Sequence, residues 1–428
     1  MLYKNSLKSM LFGALVLVCT NNVLATVTSK IEKLSEYDAL EVLPEAMQGS
    51  IQTFKGKPIV VKLDDTDNGL FLNSTILTNN YTEIENHTFS LQDLTAPNTG
   101  YELSVQANDD FLFAMLINND DKVRQKKNLL FKSEDGRNWQ LFKSFPSEWE
   151  LLDFNVADNN LSVSCLNCED DLKISYVISS DHGKSWNKYS LPSSSQAWHF
   201  SSTVNNKLFV VTEDRNPEDR KKLISELLFT DLQNKAPKWQ KADLSKVRTI
   251  VKDDAPLYFK DINEVYATSD GYLLANAVYS NVITDAVDDI EVNTNLISRD
   301  NGKTWSLFEL TNLNNEELTQ FKKFGSEYHL VTSNLIAAPN FDDAIEGPFD
   351  LLSLIMDYFK KQKYSYYTLT KEQLDNTEAF TLEPKFSFEH SLGFNIDYKQ
   401  SHKASFVDAV LIRNIEDELK VEFYRLHN

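Results

Sequence analysis

Short apolar segments that resemble strands recur along the whole chain, and stretches with helical periodicity are few. Runs such as 57–63, 111–117 and 174–178 are rich in β-branched and aromatic residues and are bounded by Asn, Asp and Gly. Hairpin-like pairs of such segments lie near residues 77, 133, 179, 229, 298, 367 and 411. Self-similar units at this spacing are typical of repeat architectures. The pattern therefore predicts an all-β fold built from repeated hairpins.

Two segments depart from this rhythm. The stretch 348–363 predicts a short helical insertion, because acidic groups lie near its start, lysines lie at its end and its apolar residues form one stripe. The stretch 215–225 is strongly charged and predicts an exposed loop, or a contact with a partner at one rim. Residues 26–40 are expected to be a lead-in segment with a short helical piece.

One short sequence recurs where hairpins are predicted. It reads Ser-Arg-Asp-Asn-Gly-Lys-Thr-Trp at 298–305 and Ser-Ser-Asp-His-Gly-Lys-Ser-Trp at 179–186. A version shorter by one residue, Ser-Glu-Asp-Gly-Arg-Asn-Trp, lies at 133–139. We expect the Asp to accept hydrogen bonds from amides of a tight turn, and the Gly to adopt a positive φ. The Trp ring should cover the base of the hairpin and seal one sheet against the next.

The pattern S-x-D-x-G-x-[TS]-W resembles the Asp-box, or BNR repeat, of the sialidase-like β-propeller superfamily. The resemblance implies a single propeller domain over 26–428 with six or seven four-stranded blades, and the count of hairpins favours seven. It also implies that the boxes lie on the face opposite the working face, so their residues are structural rather than catalytic. These residues are Ser133, Asp135, Gly136, Trp139, Ser179, Asp181, Gly183, Trp186, Ser298, Asp300, Gly302 and Trp305.

The catalytic residues that the resemblance implies for a sialidase are not recognised. No F/Y-R-I/L-P string occurs, and Arg137 and Arg299 lie inside boxes. Arg248, Arg413 and Arg425 remain as arginines that a ring of blades would bring together. Other glycoside hydrolases need two carboxylates about 5–10 Å apart across a cleft. The candidates on strands that would line the ring are Asp153, Asp261 and Glu264.

We therefore expect a non-catalytic binding or assembly module that takes a protein or a glycan. The alternative is a glycoside hydrolase, sialidase-like or other, with a carboxylate pair in the central funnel, and a structural cell-envelope protein is a third possibility. Propellers with Asp-boxes that lack sialidase residues include assembly factors and receptors, which supports the first reading. No cofactor is expected, and the catalytic and binding residues stay unknown at this point.

The N-terminal residues resemble a secretory signal peptide. Lys4 and Lys8 form a basic region, 10–20 is apolar, and 23–25 is a small-residue cleavage site, which predicts a signal peptide over 1–25 cleaved after Ala25. The apolar run is too short to span a bilayer. Cys19 allows a lipoprotein alternative, but Val18 is larger than the residue that normally precedes a lipidated cysteine. We expect an exported protein, periplasmic or secreted, without membrane insertion.

The net charge of the chain argues against two classes of partner. The formal net charge is −20, which repels nucleic acid and anionic lipid, so neither is expected as a partner.

In an oxidising compartment Cys165 and Cys168 predict a local disulfide, with a redox-active thiol pair as the alternative. A zinc site needs two further ligands with suitable spacing, and none is visible, so no metal is expected. We expect a monomer.

Overall fold

The structure is a computed structural model. It describes residues 31–38, 50–55, 57–66, 69–78, 83–92, 94, 100–118, 127–157, 159–166, 168, 174–192, 196–215, 223–234, 237–252, 255–281, 291–309, 316–324, 326–335, 362–376, 378–389, 394–397, 406–415 and 418–427. The predicted signal peptide and most of the predicted helix over 348–363 lie outside these residues. The exceptions are Gln362 and Lys363, which begin a strand.

The described residues form 29 strands and one short helix. The strands before residue 158 are β1 (Ile31–Asp38), β2 (Ser50–Phe54), β3 (Lys57–Thr66), β4 (Gly69–Thr78), β5 (Glu83–Ser90), β6 (Tyr101–Ala107), β7 (Leu112–Asn118), β8 (Asn128–Ser133), β9 (Trp139–Phe145) and β10 (Glu150–Ala157). The next are β11 (Asn160–Leu166), β12 (Ser175–Ser179), β13 (Asn187–Ser190), β14 (Gln196–Val204), β15 (Lys207–Arg215), β16 (Leu223–Asp231), β17 (Gln240–Lys241), β18 (Thr249–Lys252), β19 (Ala255–Ala267) and β20 (Leu273–Ser280). The last are β21 (Glu291–Ser298), β22 (Ser306–Leu307), β23 (Glu316–Phe324), β24 (Glu327–Leu335), β25 (Gln362–Leu369), β26 (Phe386–Glu389), β27 (Phe394–Asp397), β28 (Phe406–Ile415) and β29 (Glu418–His427); helix α1 (Lys371–Asp375) follows β25.

The strands form seven small sheets in which neighbouring strands are mostly consecutive in sequence. Their orders are β2-β3-β4-β5, β6-β7-β8-β9, β10-β11-β12-β13, β14-β15-β16-β17, β18-β19-β20-β21-β22, β23-β24-β25-β26 and β1-β29-β28-β27. Each of the seven hairpin positions predicted from the sequence lies in a different one of these sheets. The fold is therefore nearly all β and made of small antiparallel sheets, as predicted.

The described chain divides into two compact units. The first comprises Met1–Trp149, Leu335–Ser365 and Lys385–Asn428. Within it, β1 pairs antiparallel with β29, so the first strand of the chain completes the sheet formed by the last three. The prediction of a lead-in with a helical piece over 26–40 is wrong, since Ile31–Asp38 is a strand. Its pairing with a segment almost 390 residues away explains why local pattern did not reveal it.

The second unit comprises Glu150–Asn334 and Tyr366–Pro384. Its largest core cluster lies between the sheets of β14–β17 and β18–β22, and it includes Phe209, Phe229, Leu273 and Trp305. The alternation of buried apolar and open polar residues along β19 is what a strand with one face on a core requires. Apolar side chains from adjacent sheets therefore fill the space between them.

Four strands of the second unit, β10, β14, β19 and β23, carry β-bulges. Register shifts occur in β10 between Leu151 and Asp153, and in β14 between Ala197 and Ser201. Strand β19 has two shifts, and β23 has one between Leu318 and Gln320. A bulge places two residues opposite one and turns a side chain towards a new direction, which is why bulges are frequent beside functional sites.

Candidate functional site

The three box sequences form the same hydrogen-bonded turn between the last two strands of their sheets. In the box at 298–305, the Ser298 hydroxyl donates to Asp300 Oδ1 (2.9 Å) and accepts the Gly302 amide (2.8 Å). Asp300 Oδ1 also accepts the Thr304 amide at 2.9 Å. The boxes at 133–139 and 179–186 repeat this arrangement, centred on the pairs Ser133 with Asp135 and Ser179 with Asp181.

The box glycines and tryptophans also have the geometry that the motif predicts. Gly136, Gly183 and Gly302 have φ values of 74°, 83° and 87°. Trp139 and Trp305 are buried in core clusters, and the Trp139 ring donates from Nε1 to Ser74 Oγ of the preceding sheet (2.7 Å). Trp186 is only half-buried, and its Nε1 donates to the Gly183 carbonyl at 3.0 Å. The boxes therefore fasten hairpins.

The turn amides shift the acidity of the box aspartates. Burial by itself would raise the pKa of Asp135, but hydrogen bonds from the Asn138 and Arg137 amides outweigh it and lower the pKa to about 2. The same balance, with hydrogen bonds from Ser185 and Ser179, lowers the pKa of Asp181 to about 2. Carboxylates that accept several backbone N–H groups are ionised in the folded state to low pH.

The lowered pKa of Asp135 predicts a contribution to acid stability. A group whose pKa is lower in the folded than in the unfolded state stabilises the protein above its unfolded pKa, and that contribution disappears as the pH falls through the folded pKa. For Asp135 this window runs from about pH 4 down to about pH 2. We expect Asp135→Asn to lower the free energy of unfolding at pH 7 by about 1 kcal/mol, after allowance for solvent screening, and to flatten part of the acid slope.

Urea unfolding of wild type and Asp135→Asn between pH 7 and pH 2 measures both effects. Asp110→Asn, which removes the same charge at an exposed turn, is the control and should keep the wild-type slope. An Asp135→Asn variant whose stability falls with acid as steeply as that of the wild type would contradict the role of this carboxylate.

A related turn that the sequence analysis missed connects β19 and β20. The Thr268 hydroxyl donates to Asp270 Oδ1 (2.8 Å) and accepts the Tyr272 amide (3.1 Å), and Gly271 has a φ of 93°. The other carboxylate oxygen, Asp270 Oδ2, accepts from the Tyr328 hydroxyl at 2.5 Å. The string Thr-x-Asp-Gly at 268–271 is the signal that could have revealed this turn.

The turns after β10 and β19 lie beside the boxes of their sheets. The His182 amide donates to the Asn159 carbonyl (3.1 Å), and the Asn301 amide donates to the Gly271 carbonyl (3.2 Å). In the second unit, adjacent sheets are linked at the same place, because Asn205 Nδ2 donates to the Thr268 carbonyl at 3.0 Å. We call this side of the second unit the box end and the opposite side the box-distal end.

The described arginines at the box end are held in structural contacts. Arg299 donates from Nε to the Leu374 carbonyl and from one terminal nitrogen to the Asn376 carbonyl, each at 2.6 Å, so it binds the C-terminal end of α1. In the first unit, Arg137 pairs with Glu85 (2.6 Å). These contacts fit the prediction that arginines inside boxes serve the fold.

The other arginine candidates are not assembled into a site by the described residues. Arg248 donates weakly to the Ser225 carbonyl (3.4 Å) in the second unit. Arg413 and Arg425 lie on β28 and β29 in the first unit, and the side chain of Arg413 is outside the described set. The convergence of these three arginines therefore stays a prediction.

The bulged strands β10, β14, β19 and β23 lie next to one another in the second unit. Two of the predicted carboxylates sit at their bulges and share one role. Asp153 Oδ1 accepts the Phe154 amide (2.8 Å), and Asp261 Oδ1 accepts the Ile262 amide (2.7 Å). Each carboxylate thus accepts the backbone amide of the next residue beside a bulge, which is a structural contact.

Glu264, the third predicted carboxylate, has a different environment. It is exposed at the second bulge of β19, and the Tyr266 hydroxyl lies 2.6 Å from Glu264 Oε2 and 3.1 Å from the Leu318 carbonyl. Desolvation by the surrounding protein raises the pKa of Glu264, although the Tyr266 hydrogen bond opposes this. A tyrosine has one proton for these two acceptors. The Tyr266 hydroxyl therefore shares its proton between the Glu264 carboxylate and the Leu318 carbonyl.

Removal of the Tyr266 hydroxyl should raise the pKa of Glu264 further. In Tyr266→Phe the carboxylate loses the hydrogen bond that stabilises its charged form, while desolvation stays. Side-chain carboxyl ¹³C NMR titration measures the change directly. Tyr258→Phe, which removes an exposed phenol from the same strand, is the matched control and should leave Glu264 unchanged. A lower Glu264 pKa in Tyr266→Phe would show that the hydroxyl does not stabilise the charged form.

Exposed large apolar side chains concentrate on the same group of strands. In the part of the second unit that the structure describes, they are Leu152 (45% exposed), Val251 (74%) and Tyr258 (37%). Leu152 is the extra residue of the β10 bulge. Strands β10 and β19 lead into turns at the box end, so Leu152, Tyr258 and the β18–β19 hairpin lie towards the box-distal end.

A buried histidine in the second unit belongs to the core. His329 Nδ1 lies 2.5 Å from the Tyr366 hydroxyl, and both side chains are buried. Burial lowers the pKa of His329 to about 4, so the imidazole is neutral at physiological pH. A neutral, buried histidine that is hydrogen-bonded to a tyrosine of the same sheet is a packing feature.

The remaining sequence candidates are placed as follows. Cys165 and Cys168 are joined by a disulfide across a tight turn after β11, with their Cα atoms 6.0 Å apart. Among the described residues, no group of three or more His, Cys, Asp or Glu is arranged to hold a metal ion. None of the described helical residues forms a helix long and apolar enough to cross a membrane.

No protein-family model and no curated protein matches the sequence. Among solved structures, the chain is similar to the β-propeller domain of the Trilobed protease from Pyrococcus furiosus, with 12% identity and a TM-score of 0.43 over 85% of this chain and 91% of that chain. It is also similar to the GH93 α-L-arabinofuranosidase of Fusarium graminearum (12%, 0.36, 74% and 89%) and to a mutant Trypanosoma rangeli sialidase that displays trans-sialidase activity (12%, 0.36, 88% and 58%). At these TM-scores the similarities carry no functional argument.

Proposed function

We propose that the chain is an exported, non-catalytic β-propeller that binds a partner protein at the box-distal end of its second unit. Seven small sheets in sequential order, with β1 added to the last of them, support a ring of seven blades closed by the N-terminal strand. The signal-like sequence over 1–25 supports export to the periplasm or the exterior.

The observation that carries the binding function is the exposed apolar face of the β18–β19 hairpin. Val251 and Tyr258 lie on this face, where Val251 is largely open to solvent and Tyr258 is 37% exposed, whereas Leu257 and Ile250 on the opposite face pack on the core. Several exposed apolar residues close together are typical of interaction surfaces. Leu152 on β10 adds a further exposed apolar side chain towards the same end.

The box end is a weaker candidate for the working surface. Its box aspartates accept turn amides, and Arg299 is bound to the end of α1. Groups already satisfied within the protein have little capacity left for a ligand.

NMR mapping of ligands from peptide and glycan arrays tests this proposal. We expect ligands to shift the amides of Leu152, Val251 and Tyr258 and to leave those of Gly183 and Gly302 unchanged. Shifts confined to the boxes, or the absence of any ligand among peptides and glycans, would contradict it. Glycans alone shifting the box-distal amides would keep the surface and change the partner class.

Glycoside hydrolysis is the second candidate, and Glu264 is the observation that favours it. A carboxyl group with a raised pKa that is open to solvent is suited to act as a general acid. The reaction needs a second, ionised carboxylate, and the candidates from the sequence are Asp153 on β10 and Asp261 on β19. Turnover of any member of a panel of chromogenic glycosides, including a sialoside, that is abolished in Glu264→Gln would replace the first proposal by this one.

A further inference from the structure

Strand β18 leaves part of its backbone without a partner. Its register with β19 pairs Thr249 with Tyr258, Ile250 with Leu257 and Val251 with Pro256. The Phe259 amide donates to the Arg248 carbonyl at 3.0 Å, which makes that pair a hydrogen-bonded one. Such pairs alternate along an antiparallel ladder, so Ile250 is hydrogen-bonded to Leu257.

The N–H and C=O groups of Thr249 and Val251 therefore point away from β19. Pro256 has no N–H to offer Val251, which agrees with this register. β18 is the edge of its five-stranded sheet, and no described residue pairs with these backbone groups. Two outward N–H and two outward C=O groups on an edge strand form a template for another strand.

Side chains beside this edge indicate what kind of strand fits. Thr249, Val251, Pro256 and Tyr258 form one exposed face, and three of the four are apolar or aromatic. The sequence 246–252 contains three basic residues and no acidic one, and Asp253 and Asp254 follow it directly, in a chain with a formal net charge of −20. Lys246 is exposed. Arg248 and Lys241 line a surface depression next to β18 together with Asp243, and Lys241 is ion-paired with Glu226.

We propose that β18 binds an extended, acidic segment of a partner protein, which adds to the sheet as a further strand. This inference rests on the proposed binding function and specifies its site and the chemistry of its partner. Backbone groups at Thr249 and Val251 supply hydrogen bonds, Val251 and Tyr258 contact alternate apolar side chains, and the basic flank attracts the acidic ones. A second copy of this chain fits less well, since two chains of charge −20 repel each other.

The test uses the purified protein at about 0.15 M ionic strength, where the Debye length of about 8 Å keeps the local contacts and screens the distant charges. The probes are three ten-residue peptides: one alternates valine and glutamate, one alternates valine and lysine, and one is the acidic peptide N-methylated at alternate residues. Fluorescence anisotropy measures affinity, and NMR hydrogen exchange measures protection of the Thr249 and Val251 amides. We expect binding and protection with the acidic peptide and a large loss of both with its N-methylated form.

Three variants separate backbone from side-chain effects. Val251→Pro removes only an outward N–H, and we expect it to weaken binding of the acidic peptide about fivefold or more, whereas Val251→Thr keeps the N–H and the branched shape and should stay close to wild type. Lys246→Glu should weaken the acidic peptide and strengthen the basic one. The N-methylated peptide tests the same backbone contact on wild-type protein, so a Val251→Pro variant that misfolds does not remove the test.

Several outcomes would overturn the inference. The first is that the acidic peptide gives no protection at Thr249 and Val251, and the second is that the basic peptide binds as tightly as the acidic one. The third is that protection rises with protein concentration alone, which would make a second copy the occupant. Binding at the box-distal end that is insensitive to Val251→Pro and to N-methylation would leave the proposed function standing and reject strand addition. Absence of any ligand at that end would reject both.

Discussion

Gly302→Ala is expected to lower the free energy of unfolding by about 2–4 kcal/mol, because an alanine there meets both backbone strain and a steric clash. Gly302 has a φ of 87°, a conformation that residues with a Cβ rarely adopt. A Cβ at this position would also collide with the ring of Phe209, which is fully buried in the core between two sheets. Phe209 packs on Phe229 with ring centroids 5.7 Å apart, so its ring has little room to move.

Gly271→Ala separates these two causes. Gly271 also has a positive φ, 93°, but a Cβ at this position would have Asn301 Cβ as its nearest heavy atom, at 3.8 Å, which is an ordinary contact. We therefore expect only the backbone strain there, about 1–2 kcal/mol. Equilibrium urea unfolding at pH 7 measures both variants. Equal losses for Gly302→Ala and Gly271→Ala would mean that the contact between the box and the preceding sheet contributes nothing.

Gly136 offers a check in the first unit. A Cβ there would lie 2.5 Å from Ile59 Cδ1, in the sheet that precedes this box. Gly136 and Gly302 thus both press against the sheet before them in the chain. This close approach explains why the motif needs glycine for space as well as for φ.

The boxes were predictable because their chemistry is local. A serine, an aspartate and a glycine within five residues form their turn from their own hydrogen bonds, so the sequence alone indicates Ser298, Asp300 and Gly302 as one unit. The hairpin near residue 229, whose first strand ends at Asp231, was predictable for a similar reason, since a β-rich run and a polar turn are short-range signals.

Features that depend on distant partners were not predictable. The strand Ile31–Asp38 has no strong alternation, and it is fixed by pairing with β29 at the other end of the chain. The bulges on β10, β14, β19 and β23 arise from how each strand fits its neighbours, which no local pattern encodes. The sequence indicated Glu264 among many acids, but the desolvation that raises its pKa and the Tyr266 hydrogen bond that opposes the rise both depend on the folded structure. The free edge of β18 follows from register, which only the structure shows.

Lys33→Met is expected to lower the free energy of unfolding by about 2–4 kcal/mol, because it removes the cation that is in contact with a buried carboxylate. Lys33 on β1 donates to Glu422 Oε1 on β29 at 2.6 Å, and the Glu422 side chain is fully buried while that of Lys33 is 40% exposed. The Tyr424 hydroxyl donates to the other oxygen, Glu422 Oε2, at 2.8 Å. A neutral hydroxyl stabilises a buried charge less than an ammonium group does, so the hydrogen bond from Tyr424 does not replace the ion pair.

Two variants test whether the loss comes from the broken ion pair. Lys33→Arg keeps a cation and should lose less than Lys33→Met, whereas the double variant Lys33→Met with Glu422→Met removes both charges and should recover most of the stability. Urea unfolding measures all three. Because β1 completes the sheet of β27, β28 and β29, hydrogen exchange of β29 amides should also accelerate in Lys33→Met. A Lys33→Met variant as stable as wild type, with unchanged exchange in β29, would show that the pairing of β1 with β29 does not depend on this ion pair. The pairing would then rest on the backbone ladder between the two strands.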